Sequence, residues 1–351
     1  MSIKQLEKID INNILIRATN WVGDAVMTLP ALEAVRENFP ESRITVLARP
    51  WVAPVFENHP AVNNILIYNS HDGLKKNISE FFHVINLVRK NRFDLAVLFQ
   101  NAFEAAFLAY LGRVRYRLGF DSDGRGFLLT HRIKRTDDIL GVHQVEYYLS
   151  ILKSVGLEAK SRNPVLHISK KDSIKAEALL KINGINLNDF LLGLGPGAIF
   201  GNAKRWPVER FAKIGDWAAE KWSAKIIIMG SKKEKEIGTS MTGLMRHKPV
   251  DFCGATSLGE AMGIIGRCNL FVTNDSGLMH VAAALGVSTL AIFGSTDHVA
   301  TGPRGIRTRI IKHDIDCSPC LKPECPTDFK CMLSIEPEEV WDEMEKFRQA
   351  I

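Results

Sequence analysis

Short, continuously apolar runs alternate with helical patterns along this chain, and the alternation restarts once midway. Runs rich in Ile, Leu and Val, without polar residues at every second place, read as strands buried on both faces. Asn13 to Ala18, Arg43 to Ala48, Asn64 to Tyr68 and Phe93 to Phe99 are such runs. Between them, Asp24 to Asn38 and Ile78 to Asn91 carry apolar residues at helical spacing, and Pro40 stands just past the first. A helix that returns the chain to the same edge makes the next strand parallel to the last. The expectation is a doubly wound sheet.

Gly156 to Ser173 breaks this rhythm with a Lys-, Ser- and Asn-rich stretch containing Pro164, the composition of a linker. The pattern then resumes. Phe190 to Leu194, Ala224 to Met229, Leu270 to Thr273 and Ser288 to Phe293 read as strands. Val208 to Trp222, Lys233 to Leu244, Leu258 to Arg267 and Leu278 to Leu285 read as helices, and Glu336 to Ala350 closes the chain as an amphipathic helix. At 351 residues the chain accommodates two domains of about 150 residues each. The predicted domains are 1–170 and 171–351. Two doubly wound domains in one chain are expected to face each other across a cleft at the carboxyl ends of their strands, where such sheets bind ligands.

Composition narrows the function. No apolar run approaches the roughly 20 residues of a membrane span. Met1 to Asn13 lacks the apolar stretch of a secretory signal, so a cytoplasmic location is expected. The net charge of +6 is compatible with an anionic substrate or membrane surface. It is too dispersed to argue for nucleic acid.

Four strand-to-helix turns carry candidate chemistry. Trp21-Val22-Gly23-Asp24 puts a carboxylate at a helix start. It reads as an N-cap or as a general base for an attacking hydroxyl. Gly193 to Ala198 is glycine-rich, and its glycines permit close approach to a phosphate, with Lys204 in reach of a diphosphate. Pro196 interrupts it and the spacing is not G-x-G-x-x-G, which disfavours a NAD-dependent oxidoreductase. Asn274-Asp275-Ser276-Gly277 opens a helix whose N–H groups suit an anion, with His280 one turn further in. Asp275 reads as a cap or a ligand of sugar hydroxyls. In Gly230 to Glu236 a carboxylate could accept bonds from a ribose, or merely begin a solvated helix.

WVGDAVMTLPAL, PGAIFGNAKRWP and TNDSGLMHVAAALGVSTLAIFG, in that order, resemble glycosyltransferase family 9 over nearly the whole chain. The resemblance implies an α/β GT-B fold of two Rossmann-like domains. It implies inverting, metal-independent transfer of L-glycero-D-manno-heptose from ADP-L-glycero-β-D-manno-heptose, with no cofactor. The acceptor would be lipopolysaccharide inner core, Kdo-lipid A already bearing a heptose, met peripherally at the cytoplasmic face of the inner membrane. Alternatives are addition of the first heptose, another family 9 transfer, and, more remotely, a sugar-nucleotide 2-epimerase. By position, Asp24 matches the family's base. Gly197, Ala198, Lys204, Asp275, Ser276, Gly277 and His280 match the donor site. Glu234 matches the ribose-side carboxylate, with Glu236 the other register of KKEKE. Thr256, Ser257 and Leu258 stand where the adenine is held. Arg113, Arg115 and Arg117, in an Arg-rich stretch running to Arg135, are assigned to the anionic acceptor, because Arg binds carboxylate and phosphate bidentately.

Cys317, Cys320, Cys325 and Cys331 lie outside this chemistry. Their spacing reads as a metal site or as a loop of free thiols. Interleaved Pro319, Pro323 and Pro326, and the lack of a second C-x2-C, favour the loop.

Overall fold

The computed structural model describes residues 10–69 and 74–349. The polar N-terminus and Ala350 therefore lie largely or wholly outside the described residues. The chain divides between His167 and Ile168 into two units, each with its own core.

In the first unit, β1 (Asn13–Arg17), β2 (Arg43–Ala48), β3 (Asn64–Ile67), β4 (Leu95–Leu98), β5 (Tyr116–Phe120) and β6 (His131–Ile133) make one six-stranded sheet. The order is β3-β2-β1-β4-β5-β6, and every pairing is parallel. Helices Leu74–Asn91 and Phe103–Leu111 cover the face that shows Leu15, Leu47, Ala96 and Leu98. They bury Val84, Ile85 and Val88 from one helix, and Ala106, Leu108 and Ala109 from the other. The order reverses between β1 and β4, so the turns after those strands border the switch point.

The helix expected from Asp24 to Asn38 is two helices, Val22–Met27 and Leu29–Asn38. Pro30 has no N–H for the carbonyl one turn back. Thr28 ends the first helix, and its hydroxyl donates to the Ala25 carbonyl at 2.6 Å.

The second unit holds β7 (Leu191–Gly195), β8 (Lys225–Ile228), β9 (Val250–Asp251), β10 (Leu270–Asn274), β11 (Ser288–Ile292) and β12 (Thr308–Ile311). They pair in parallel in the order β12-β11-β10-β7-β8-β9, reversing between β7 and β10. Gly193 and Gly195 answer to this pairing. They stand beside Phe271 and Thr273 of β10, and a β-carbon at either would collide with those side chains. Their lack of a side chain serves the sheet, which corrects the reading of these two as phosphate-approach glycines.

The C-terminal helix Pro337–Gln349 belongs to this core. Trp341 stacks on Trp222 of helix Val208–Trp222 at 4.6 Å, and the Trp222 indole N–H donates to Glu345 at 3.0 Å. The indole N–H of fully buried Trp206 donates to the Ile335 carbonyl at 2.9 Å. Trp341→Ala should therefore lower the unfolding free energy by about 3 kcal/mol, the cost of an aromatic-sized hole in a packed core. Denaturant titration followed by tryptophan fluorescence measures it.

Candidate functional site

At the carboxyl edge of the first sheet, β1 ends in Arg17, which is fully buried. Its guanidinium donates to the carbonyls of Ala18 at 2.6 Å and Leu47 at 3.5 Å, and to Asn20 Oδ1 at 3.3 Å. Burial, and then the charge of Arg49, pull it down to about 10. Arg49 stacks on the Tyr68 ring at 3.9 Å and pairs with Glu104 at 3.7 Å. The Trp51 indole donates to the Asn20 carbonyl at 2.8 Å. The turn from β1 toward Asp24 is thus gripped from both sides.

Asp24 lies in the first turn of helix Val22–Met27, while the N-cap position is held by Trp21. The N-cap reading of Asp24 is thereby corrected. Its Oδ1 accepts the Tyr148 hydroxyl at 3.1 Å. Burial first, and the Asp24 charge second, push Tyr148 well above the usual phenol range, so it remains a donor to that carboxylate. Arg125 braces the turns after β4 and β5. Its fully buried guanidinium donates to Phe120 O at 2.9 Å, to Gln100 O, and to Asn101 Oδ1 at 3.3 Å.

At the carboxyl edge of the second sheet, the turns after β7 and β10 are tied by the buried Asn274 amide. It donates to Pro196 O at 2.7 Å and accepts Trp206 N–H at 3.0 Å. Next along, buried Asp275 takes two donors on Oδ2: Lys204 Nζ and the Thr296 hydroxyl, both at 2.6 Å. Ser276, not Asp275, is the N-cap of helix Gly277–Ala284, so the cap reading of Asp275 falls as well. Ser276 Oγ lies 3.3 Å from Thr273 Oγ1. His280 is buried one turn in. Lys204 sits over the Phe200 ring at 4.9 Å, and Arg205 closes its loop on the Ala198 carbonyl at 3.0 Å.

Glu234 is buried against Gly197, where any β-carbon would overlap its Oε1. Its Oε2 accepts Ser231 N–H at 2.7 Å. Glu236, the other register of KKEKE, is exposed. Thr256, Ser257 and Leu258 lead into helix Leu258–Ile265. Ser257 is engaged there in a capping box with Glu260, whose carboxylate is held down at about 2 by Ser257 N–H and then by Lys175.

The structure separates the remaining candidates from these edges. Arg113 and Arg115 precede β5, and Arg117 is its second residue. In a parallel sheet that is the amino edge, opposite Asp24. Arg117 also spends its donors on the carbonyls of Leu128 at 2.6 Å and Val114 at 2.5 Å. These three arginines, expected at the anionic acceptor, thus lie at the edge of the sheet away from Asp24. The cysteine loop packs on the second unit's edge instead. Ala203 N–H donates to Pro323 O at 3.1 Å, and Leu321 N–H to Ser295 O at 2.8 Å. All four of its cysteines are free thiols. Among the described residues, no three His, Cys, Asp or Glu side chains are grouped to hold a metal ion.

Sequence reasoning missed Arg17, Arg49, Tyr148 and Thr296. Only Thr296 carried a signal, as a polar residue next to a buried strand end.

The sequence model of glycosyltransferase family 9 (heptosyltransferase) matches residues 82–330. The lipooligosaccharide heptosyltransferase 2 of Campylobacter jejuni is 30% identical over 341 residues, covering 95% of this chain and 98% of the relative. The lipopolysaccharide heptosyltransferase 2 of Escherichia coli is 27% identical over 346 residues, covering 94% and 97%. The solved structure of the Escherichia coli ADP-heptose heptosyltransferase II shares the fold with a TM-score of 0.82 at 24% identity, over 95% of this chain and 98% of that one. With its two Rossmann-like units and this match, the chain belongs to glycosyltransferase family 9 and is a glycosyltransferase.

Proposed function

We propose that this glycosyltransferase transfers L-glycero-D-manno-heptose from ADP-heptose to the heptosyl-Kdo inner core of lipopolysaccharide, inverting the anomeric centre without a metal. The observation that carries the reading is the Lys204–Asp275–Thr296 cluster at the second sheet's switch point, beside the start of helix Gly277–Ala284. A lysine ammonium and helix N–H groups together suit a diphosphate. The names of the relatives supply the sugar and the acceptor class.

In this reading Gly197, Ala198, Lys204, Ser276 and Gly277 hold the diphosphate. Asp275 sets the position of Lys204 and reaches the sugar, with His280 behind it. Glu234 takes the ribose, and Thr256, Ser257 and Leu258 the adenine. Asp24, steadied by Tyr148, accepts the proton of the acceptor hydroxyl. The freed oxygen attacks the anomeric carbon as the bond to ADP breaks, and a single displacement inverts that centre. The charge that builds on departing ADP is met by Lys204 and the helix N–H groups, the task a divalent cation performs in other transferases.

Four outcomes are expected. ADP release in excess EDTA should persist, and should be faster with heptosyl-Kdo-lipid A than with Kdo-lipid A. The opposite preference would move the enzyme to the first heptose, and release without any acceptor would favour a 2-epimerase. Asp24→Asn should lose about 10²–10⁴-fold in kcat while still binding ADP-heptose, the range for a removed general base. Lys204→Met should lose on the order of 10²-fold or more, the range for a removed charge stabiliser. Full turnover by either variant would sink its assignment. Tyr148→Phe should move the acid limb of the kcat/KM profile to higher pH, because a carboxylate that loses a hydrogen-bond donor holds its proton more tightly.

A further inference from the structure

The cysteine loop has no part in the transfer chemistry, yet it is fastened to both turns that supply donors to Asp275. Leu321 N–H donates to the Ser295 carbonyl at 2.8 Å, and the Ser318 hydroxyl to the Gly294 carbonyl at 2.6 Å. Thr296, the next residue, places its hydroxyl on Asp275. On the other turn, Ala203 N–H donates to the Pro323 carbonyl at 3.1 Å, one residue before Lys204. A β-carbon at Gly201 would overlap that same carbonyl, so the loop comes as close as a glycine allows. Both donors to Asp275 thus lean on one short segment, Leu321 to Pro323, which is itself exposed.

Cys320 and Cys325 bracket that segment, with four residues between them. Both are half-buried free thiols, while Cys317 is exposed and Cys331 is buried in the core of the unit. Burial first, and then the charges of Cys317, Cys325 and Cys320, push Cys331 up, so the sulfurs share one neighbourhood. Cys325 has the surroundings of a reactive thiol. Its Sγ lies 3.6 Å from the Thr327 hydroxyl and accepts Phe329 N–H at 3.2 Å. Thr327, through its backbone and its hydroxyl, and then Phe329 draw this thiol below the ordinary range, against the charge of Asp328. An accessible thiolate with a second thiol at hand is what hydroperoxides oxidise.

We infer that Cys325 and Cys320 are a peroxide-sensitive disulfide site that sets how well the turns bearing Lys204 and Thr296 hold a nucleoside diphosphate. The Cys325 thiolate attacks the hydroperoxide: an S–O bond forms, the O–O bond breaks, and hydroxide leaves. The Cys320 thiol then attacks the sulfenic sulfur, forming the S–S bond as the S–O bond breaks and water departs. With hydrogen peroxide, two thiols and one peroxide give one disulfide and two waters. A disulfide requires its Cα atoms about 4.4–6.8 Å apart, so closing it resets the course of Leu321 and Pro323 between them. Their grips on Ser295 and Ala203 shift with it, and so do the donors on Asp275. The effect on nucleotide rests on the transfer reading, which puts the diphosphate at Lys204; the thiol chemistry does not.

The test uses the full-length protein, reduced, freed of reductant and treated with hydrogen peroxide. Peptide mapping should find Cys320 joined to Cys325. Calorimetry should find ADP bound about tenfold more weakly, an ordinary size for coupling between two sites, and dithiothreitol should reverse both changes. Cys325→Ser should bind ADP as the reduced wild type does, before and after peroxide. Cys320→Ser should stop at a sulfenic acid on Cys325 that dimedone traps, and Cys317→Ser should respond like the wild type. ADP affinity unchanged in fully cross-linked protein overturns the inference, as does a disulfide between Cys317 and Cys320. So does oxidation of Cys325 without a cross-link, or a metal ion that stays on the thiols through purification and shields them from peroxide. ADP binding needs neither sugar nor acceptor. Failed heptose transfer with peroxide-sensitive ADP binding intact would therefore count against the transfer reading alone.

Discussion

Parallel pairing is the constraint on which the rest depends. Among the described residues, twelve strands run in two sheets without a single antiparallel neighbour, so within each sheet every strand ends at the same edge. Turns distant in sequence must then collect there. Asp24 meets Tyr148 across 124 positions, and Lys204 meets Asp275 across 71. The strand reversals between β1 and β4, and between β7 and β10, open room at the edge where those turns emerge.

Turns at such an edge have no ladder to hold their backbone groups, and buried side chains take that duty. Arg125 caps the carbonyls of Gln100 after β4 and Phe120 at the end of β5, Arg17 caps that of Ala18 after β1 and reaches Leu47 near the end of β2, and the Asn274 amide spans β7 and β10. Each is a desolvated polar group facing several partners, an arrangement that fixes geometry more than it adds stability. In the proposed transfer, that rigidity would bear on Asp24 and Lys204, where small displacements would misplace a reacting or charge-bearing atom.

The α/β class, the inner strands and the loops bearing Asp24, Lys204, Glu234 and Asp275 were legible because buried strands must be continuously apolar and glycine-marked turns must follow them. β5, β6, β9 and β12 were not. They are short or carry polar residues such as Arg117, His131, Asp251 and Arg309, which edge and near-edge strands tolerate. The charge of the arginines near β5 was legible while the edge that bears it was not. The function of Gly193 and Gly195 also escaped, since only the cross-strand register reveals Phe271 and Thr273 beside them. Tyr148 had no local signal at all: its meaning lies in a partner on another element.

Gly197 and Glu234 illustrate how far such coupling reaches. The carboxylate occupies the space that a β-carbon at 197 would need. The two positions are therefore epistatic. A larger residue at 197 is admissible only after Glu234 has shortened, and shortening Glu234 first leaves a void with the Ser231 amide unpaired. Single-step drift at either position passes through a damaged intermediate, so a lineage altering this pair must change both together or find another route.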